Sequence, residues 1–269
     1  MSANTDTRRK IIRSLKRHGI EPSCSENHME VFYIHKADVA NTFIELVLEL
    51  LNPGVIGVDT ETQVQIPVYL THFRLAKILG VDSAHPLITE YKNADQRQDF
   101  LGNAPSTMQV CFGEGIVAVF NVVQMCFTRN GNRFDPSLFP DQLTRLMEDP
   151  NVIKSGVGIG KDVKEFSNWY PVFINNVFDL EKEAKTFGLG YTQLGLASLA
   201  YLYCLAELDK RKLIVFTRWD SVDISMEALS YAANDAYYSH LVYLQMEIHP
   251  APRAQVSFEG LAEILRRNK

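Results

Sequence analysis

A chain of 269 residues can bury a sizeable core, as one large domain or two small ones. Its composition, 46% hydrophobic and 22% charged, is that of an ordinary globular protein. The formal net charge of −5 gives no general affinity for nucleic acid, so any such contact needs a local basic groove. No apolar stretch is long enough to span a membrane, and residues 1–10 lack the apolar run of a secretion signal. We therefore expect an intracellular protein, in the nucleus or the cytoplasm, without a membrane contact.

The four cysteines show no metal-binding or redox spacing. Cys24, Cys111, Cys126 and Cys204 are far apart in the chain, and three of them lie in apolar runs. This pattern predicts buried, reduced thiols, as is usual inside cells.

The first 28 residues form a polar, basic N-terminal extension. Residues 5–18 have the pattern of a short amphipathic helix, with Ile11, Ile12 and Leu15 on one side and basic residues on the other. Gly19 is expected to end this helix. The basic side is either a solvated helix face or a surface for phosphate contacts or nuclear import.

After a strand at 31–34 and a helix at 39–51, residues 55–62 are predicted to form a buried strand that ends in two acidic residues. Asp59 and Glu61 occupy positions i and i+2, which project from the same face of a strand. Two neighbouring carboxylates repel each other unless a positive charge lies between them, and a divalent cation prefers such oxygen ligands. The pair therefore predicts a metal site; the alternative is a polar turn that begins at Asp59.

A long segment without a partner strand follows Glu61. The next strand is predicted only at 107–112, and it forms a hairpin with 116–122. Residues 63–105 are therefore expected to be an insertion. We expect it to gate the substrate or to bind a partner protein; the alternative is a peripheral subdomain.

Strands and helices alternate in the second half of the chain. Strands are predicted at 152–157 and 177–180, and helices at 163–170, 192–208 and 225–247. This interleaving predicts an α/β protein with helices on the faces of a sheet.

A further carboxylate, Asp162, lies between a strand and a helix. Gly156, Gly158 and Gly160 precede it, but their spacing fits neither a dinucleotide fingerprint nor a phosphate-binding loop. Asp162 is therefore either a helix N-cap or a metal ligand.

The last polar site lies on the final long helix. Tyr231 and Asp235 are four residues apart and share one face of that helix. Alone they would be read as a hydrogen-bonded pair. With Asp59, Glu61 and Asp162 they supply four carboxylates and a phenol. Phosphodiester hydrolysis by two cations about 4 Å apart requires such a set.

These motifs resemble the DEDDy branch of the 3′–5′ exonucleases, which includes ribonuclease D and the exonuclease domain of the Werner-syndrome helicase. Residues 57–62 correspond to the Exo I motif of this family, 154–162 to Exo II and 231–237 to Exo III. The similarity extends over about 30–248. Tyr231, four residues before the last aspartate, indicates the tyrosine branch.

The resemblance implies a ribonuclease-H-like mixed β-sheet flanked by helices, with an insertion after the first strand, the one that carries Asp59. It implies an exonuclease domain at 29–250, which the N-terminal extension 1–28 precedes. A C-terminal helical tail is expected at 251–269.

The resemblance also implies two divalent cations, Mg²⁺ or Mn²⁺, as cofactors. Asp59 would bridge both cations, and Glu61 and Asp235 would complete the site of the cation that activates water. Asp162 would serve the second cation, and Tyr231 would orient the attacking water.

The implied activity is 3′–5′ exonucleolytic hydrolysis of single-stranded nucleic acid, bound at its 3′ end, with RNA slightly favoured over DNA by family analogy. The alternative is a catalytically silent adaptor of the same fold that binds nucleic acid or a protein. The presence of all four carboxylates disfavours the adaptor. Candidate contacts to the substrate beyond the cations are Thr60, Gln109, Lys161, Lys164, Arg211, Lys212 and Arg218.

Overall fold

A computed structural model of the chain describes residues 2–26, 28–62, 104–128, 133–186, 194–208, 214 and 217–252, with side chains from residue 6 onward. The expected insertion and the expected C-terminal tail lie almost entirely outside these residues. The same holds for Arg211 and Lys212. These expectations therefore stay predictions.

The described residues form a mixed seven-stranded sheet. Its strands in chain order are β1 (Cys24–Ser25), β2 (Glu30–Ile34), β3 (Val55–Thr62), β4 (Pro105–Cys111), β5 (Ile116–Phe120), β6 (Ile153–Gly156) and β7 (Val177–Asp179). Their order in the sheet is β1-β2-β5-β4-β3-β6-β7. The pairs β2–β5, β3–β6 and β6–β7 are parallel, and the other three are antiparallel. The predicted hairpin and the α/β class are confirmed.

The strand that carries Asp59 lies third in the chain, after the short hairpin of β1 and β2, and near the middle of the sheet. It pairs with β4 on one side and with β6 on the other. The pairing with β6 covers residues 55–57, so the polar end with Asp59 and Glu61 is paired with β4, and this register fixes the direction of its side chains.

Helices pack on both faces of the sheet. In the described residues they are α1 (Ser2–Arg17), α2 (Ala37–Leu50), α3 (Val122–Met125), α4 (Asp141–Glu148), α5 (Ile159–Trp169), α6 (Leu180–Thr186), α7 (Leu196–Cys204) and α8 (Met226–Ile248). None of these helices has both the length and the apolar composition of a membrane span.

The alternation of side chains along β3 separates two layers of core. Ile56 and Val58 pack with residues of α2, α4 and α5, among them Phe43 and Phe166. Successive residues of a strand point to opposite faces. The side of Gly57 and Asp59 therefore faces the long helix α8.

The N-terminal helix α1 is part of the packed body. Ile11 and Leu15 are fully buried in the same core as α2. The guanidinium of Arg8 lies 3.2 Å from the carboxylate of Glu30, at the start of β2. The predicted amphipathic helix is confirmed, and Gly19 follows its end with a φ of 73°.

The helix α8 begins as predicted and comes very close to β3. The Ser225 hydroxyl oxygen accepts a hydrogen bond from the backbone N–H of Ala228, which caps the helix. Ala232 and Ala236 present only methyl groups and are fully buried. These small side chains allow the helix backbone to approach the strand at Gly57.

The cysteines of the described residues are free thiols. Cys111 and Cys126 are buried, and burial raises the pKa of each thiol to about 12. Both are therefore protonated at neutral pH. Cys24 and Cys204 are only partly buried, so the prediction of buried thiols is confirmed for two of the four cysteines.

Acid is expected to weaken the packing of α8 through His240. This side chain is only 8% exposed, and burial lowers its pKa from 6.5 to about 4. The unfolded chain binds the proton at higher pH, so stability falls as the pH drops from about 6.5 towards 4. The loss is about 2 kcal/mol at pH 5 relative to pH 7.

Urea unfolding of the wild type and of His240→Gln at both pH values measures this effect. The variant should lose less stability on acidification than the wild type. His249→Gln, a change of an exposed histidine on the same segment, should behave like the wild type. An equal loss in wild type and His240→Gln would contradict the prediction.

Candidate active site

Three predicted carboxylates meet where β3 ends. Asp59 and Glu61 project from the strand towards α8, and Asp235 projects from that helix towards the strand. One carboxylate oxygen of each residue lies within 4.8 Å of the other two. Asp235 is 6% exposed, and the other two are half-buried.

These residues fit a divalent cation. Three carboxylates at such distances repel one another, and the repulsion grows where water is partly excluded. A hard cation with oxygen ligands removes the repulsion and uses the same distances. The chemistry of the three donors is therefore that of a site for a divalent cation.

Asp162 reaches the same strand end from the other face of the sheet. It lies in the first turn of α5, whose N-cap is Gly158 with a φ of 66°, so the N-cap alternative for Asp162 is wrong. Among the described residues, the group of three carboxylates does not include Asp162. Its carboxylate accepts a hydrogen bond from the hydroxyl of Thr60, which points away from Asp59 and Glu61.

Burial, and to a lesser extent the negative charge of Glu165, raise the pKa of the Asp162 carboxyl to about 6. Lys161 and the Thr60 hydroxyl act in the opposite direction. At neutral pH the protein without metal therefore holds a carboxylate that a nearby cation would stabilise. A residue perturbed in this way is typical of a functional site.

Asp162→Asn is expected to stabilise the metal-free protein at pH 7 by about 1–2 kcal/mol, after allowance for the half-exposed side chain. Because the pKa of Asp162 is raised in the folded state, its ionised carboxylate destabilises the folded protein above pH 6. This destabilisation vanishes below pH 4, where the carboxyl is protonated in both states. Urea unfolding in EDTA at pH 7 and near pH 4 measures the difference. A variant less stable than the wild type at pH 7 would contradict the prediction.

Tyr231 and Asp235 line a shared pocket beside the carboxylate group. Its volume is about 330 Å³. Further acidic side chains of this pocket come from three separate segments, namely Glu26, Glu207 and Glu227. The sequence predicted the shared helix face of Tyr231 and Asp235, but it gave no signal for these glutamates, because tertiary packing brings them together.

Gln109, predicted to contact the substrate, is fully buried. It lies opposite Asp59 in the register of β3 and β4. Its amide N–H donates to the hydroxyl of Thr107 over 2.7 Å, and its Oε1 has no hydrogen-bond partner among the described residues. Thr107 lies opposite Glu61 and was missed in the sequence, although it shares a strand face with Gln109.

The predicted basic contacts differ in their environment. Lys161 and Lys164 are exposed on α5, and Lys161 lies 3.6 Å from Glu165. Arg218 instead donates two hydrogen bonds to Asp220, of 2.8 and 2.7 Å. A bidentate pair of this kind holds its guanidinium firmly. Of the predicted contacts within the described residues, the two lysines present a basic surface near Asp162, and the ammonium group of Lys182 lies close to the same turn at Gly160.

The profile of a protein family described as 3′–5′ exonuclease matches residues 107–249, more than half of the chain. The chain belongs to the 3′–5′ exonuclease family. The match contains Asp162, Tyr231 and Asp235. The match begins at residue 107 and therefore does not cover Asp59 and Glu61. These two residues are assigned to the site because their carboxylates lie close to that of Asp235.

Relatives of this exonuclease chain agree with that assignment. A 3′–5′ exonuclease of Arabidopsis thaliana is 31% identical over 147 residues, which are 55% of this chain and 47% of the relative. The chain thus spans about half the length of that relative.

Two solved structures share its fold. The catalytic core of RRP6 from Trypanosoma brucei has a TM-score of 0.56 at 15% identity, over 93% of this chain and 53% of that one. Escherichia coli RNase D has a TM-score of 0.52 at 19% identity, over 90% of this chain and 51% of that one. The predicted ribonuclease-H-like fold is confirmed.

Proposed function

We propose that this chain is a 3′–5′ exonuclease that hydrolyses phosphodiester bonds at the 3′ end of single-stranded nucleic acid, with two divalent cations, Mg²⁺ or Mn²⁺. The observation that carries the proposal is the meeting of Asp59, Glu61 and Asp235, with their carboxylate oxygens within 4.8 Å of one another, in a member of the exonuclease family. Asp162, which is hydrogen-bonded to Thr60 of the same strand, and Tyr231, which lines a pocket together with Asp235, are proposed to complete the set.

Asp59 would hold both cations. Glu61 and Asp235 would complete one site, and Asp162 would hold the second cation from across the strand. When bound, the cations supply Lewis-acid chemistry, the lowering of the pKa of water and the neutralisation of charge on the phosphate. Because β3 and α8 are both packed in the core, their carboxylates would hold the cations in fixed positions.

Tyr231 is proposed to orient the attacking water. It lines the same pocket as Asp235, one helical turn away. A phenol is a poor general base at neutral pH, so its hydroxyl serves best as a hydrogen-bonding group that aligns water with the phosphorus. The rigid helix α8 thus carries both a ligand and the group that positions water.

RNA is the proposed substrate class. The fold resembles that of Escherichia coli RNase D, which is described as an exoribonuclease involved in structured RNA processing. Proteins distinguish RNA from DNA through contacts to the 2′-hydroxyl. The polar pocket beside Tyr231 offers hydrogen-bond acceptors for such a group on the last nucleotide.

Single-stranded RNA and DNA of matched sequence, labelled at the 5′ end, test the activity. With Mg²⁺ or Mn²⁺ we expect a ladder of labelled products that shortens one nucleotide at a time, with faster shortening of RNA. EDTA should stop the reaction. Internal cuts would indicate an endonuclease. Binding without any cleavage under either metal would support the adaptor and would sink the enzyme proposal.

A further inference from the structure

A row of arginines lies along the exposed side of α1. Arg9, Arg13 and Arg17 are each exposed and are spaced by four residues. That spacing places successive side chains about 6 Å apart along one helix face. Lys10 and Lys16 are also exposed beside the row.

The row keeps its positive charge. Two carboxylates lie near it, but each pairs with a lysine: Asp6 with Lys10 at 2.6 Å and Glu21 with Lys16 at 3.1 Å. In the part of the chain that the structure describes, the three arginines make no ion pair within 4.0 Å. A concentrated positive face therefore exists on a chain whose net charge is −5.

The row is fixed to the body of the protein. Ile11 and Leu15, on the inner side of α1, are fully buried in the main core, and Ile20 packs there after the helix ends. The ion pair of Arg8 with Glu30 ties the same helix to β2. Binding of a ligand to this surface therefore costs no conformational entropy for ordering the helix.

The pocket beside the catalytic carboxylates is unsuited to further phosphates. Glu26, Glu207 and Glu227 line it together with Asp235. These carboxylates would repel the phosphates of the nucleotides on the 5′ side of the scissile bond. A positive surface elsewhere on the molecule would offset this repulsion for a long strand.

We propose that the arginine row of α1 binds the sugar–phosphate backbone of single-stranded RNA, upstream of the 3′ end in the active site. This inference rests on the proposed exonuclease function. Guanidinium groups match phosphate oxygens through paired hydrogen bonds. A membrane surface fits less well, because a helix that lies on a membrane inserts its apolar face, and here that face is buried in the core.

The triple variant Arg9→Ala/Arg13→Ala/Arg17→Ala tests the row. The matched control, Lys36→Ala/Arg133→Ala/Arg145→Ala, removes three charges from exposed positions elsewhere. The substrates are tetrauridylate and an oligouridylate of roughly 30 nucleotides, well above the roughly 4–16 nucleotides that one binding fold covers. Steady-state kinetics are measured over a range of salt concentrations.

For the arginine variant we expect KM on the long substrate to rise by on the order of tenfold at low salt, with kcat unchanged. The slope of log KM against log salt should become shallower by about 2, from three lost contacts to single-stranded phosphates. Tetrauridylate should be cleaved as by the wild type, and the control should resemble the wild type on both substrates.

Equal KM values of wild type and arginine variant on the long substrate would overturn the inference, while cleavage of tetrauridylate by both would leave the exonuclease function intact. The inference would also be overturned if the wild type bound anionic phosphatidylserine vesicles and the arginine variant did not, while the RNA kinetics of the two proteins were the same. Far-UV circular dichroism checks the fold. Arg9→Lys/Arg13→Lys/Arg17→Lys keeps the charge and should recover most of the salt dependence.

Discussion

Asp59→Asn is expected to lower kcat of the nuclease by on the order of 10³-fold or more. Asp59 is proposed to hold both cations, so its removal would leave neither cation site with its full charge. Asparagine has the same size and keeps a carbonyl oxygen, so the loss reports charge rather than packing. Removal of one negative charge from a repelling group should also stabilise the metal-free protein.

Metal binding gives this prediction a second readout. Mn²⁺ should raise the melting temperature of the wild type, because a ligand that binds only the folded state stabilises it, and this rise should be small or absent for Asp59→Asn. The matched control is Asp141→Asn, which changes an exposed carboxylate in the first turn of α4. This variant should retain both the activity and the Mn²⁺-induced rise in melting temperature. Full activity in Asp59→Asn would place the chemistry elsewhere.

Local patterns were enough to predict the elements that carry the carboxylates. The alternation of side chains in a strand placed Asp59 and Glu61 on one face. The spacing of Tyr231 and Asp235 placed both on one face of the last helix. Each of these inferences needs only the geometry of a single element. Their meeting, however, could be predicted only by family resemblance, because no local pattern aligns β3 with α8.

Contacts between elements explain what the sequence could not reveal. The hydrogen bond from Thr60 to Asp162 joins residues that are distant in the chain, through the packing of α5 against the sheet. The burial of Gln109 follows from the position of β4 under α8. The sequence of an apolar strand does not distinguish a polar residue that is buried from one that can contact a substrate.

The glycine of β3 shows how little room separates the strand from α8. A Cβ built on Gly57 would lie 2.0 Å from the carbonyl oxygen of Ala236 and 2.7 Å from the backbone nitrogen of His240. Both are helix backbone atoms, which cannot move without the helix. In the sequence, Gly57 is indistinguishable from a glycine that merely weakens a strand. The structure shows that its missing side chain sets the distance between α8 and the strand that carries Asp59.

Gly57→Ala is therefore expected to destabilise the protein by about 3 kcal/mol or more, at the upper end of overpacking effects. The helix must move away from the strand, and Asp235 then moves away from Asp59 and Glu61. Urea unfolding measures the first effect, and the Mn²⁺-induced rise in melting temperature measures the second. We expect both stability and the metal response to fall in this variant.

Gly54→Ala separates this contact from a general effect of glycine replacement. A Cβ at Gly54 would meet nothing within 4 Å. A methyl group there should leave stability unchanged or raise it by up to about 1 kcal/mol, because alanine restricts the unfolded chain.

The activity of Gly57→Ala is then measured without urea and at a low temperature, where circular dichroism reports a folded protein. If the folded variant bound Mn²⁺ and cleaved RNA like the wild type, the close approach at Gly57 would serve stability alone. A folded variant without a metal response would mean that the same contact also holds the carboxylates within reach of one cation.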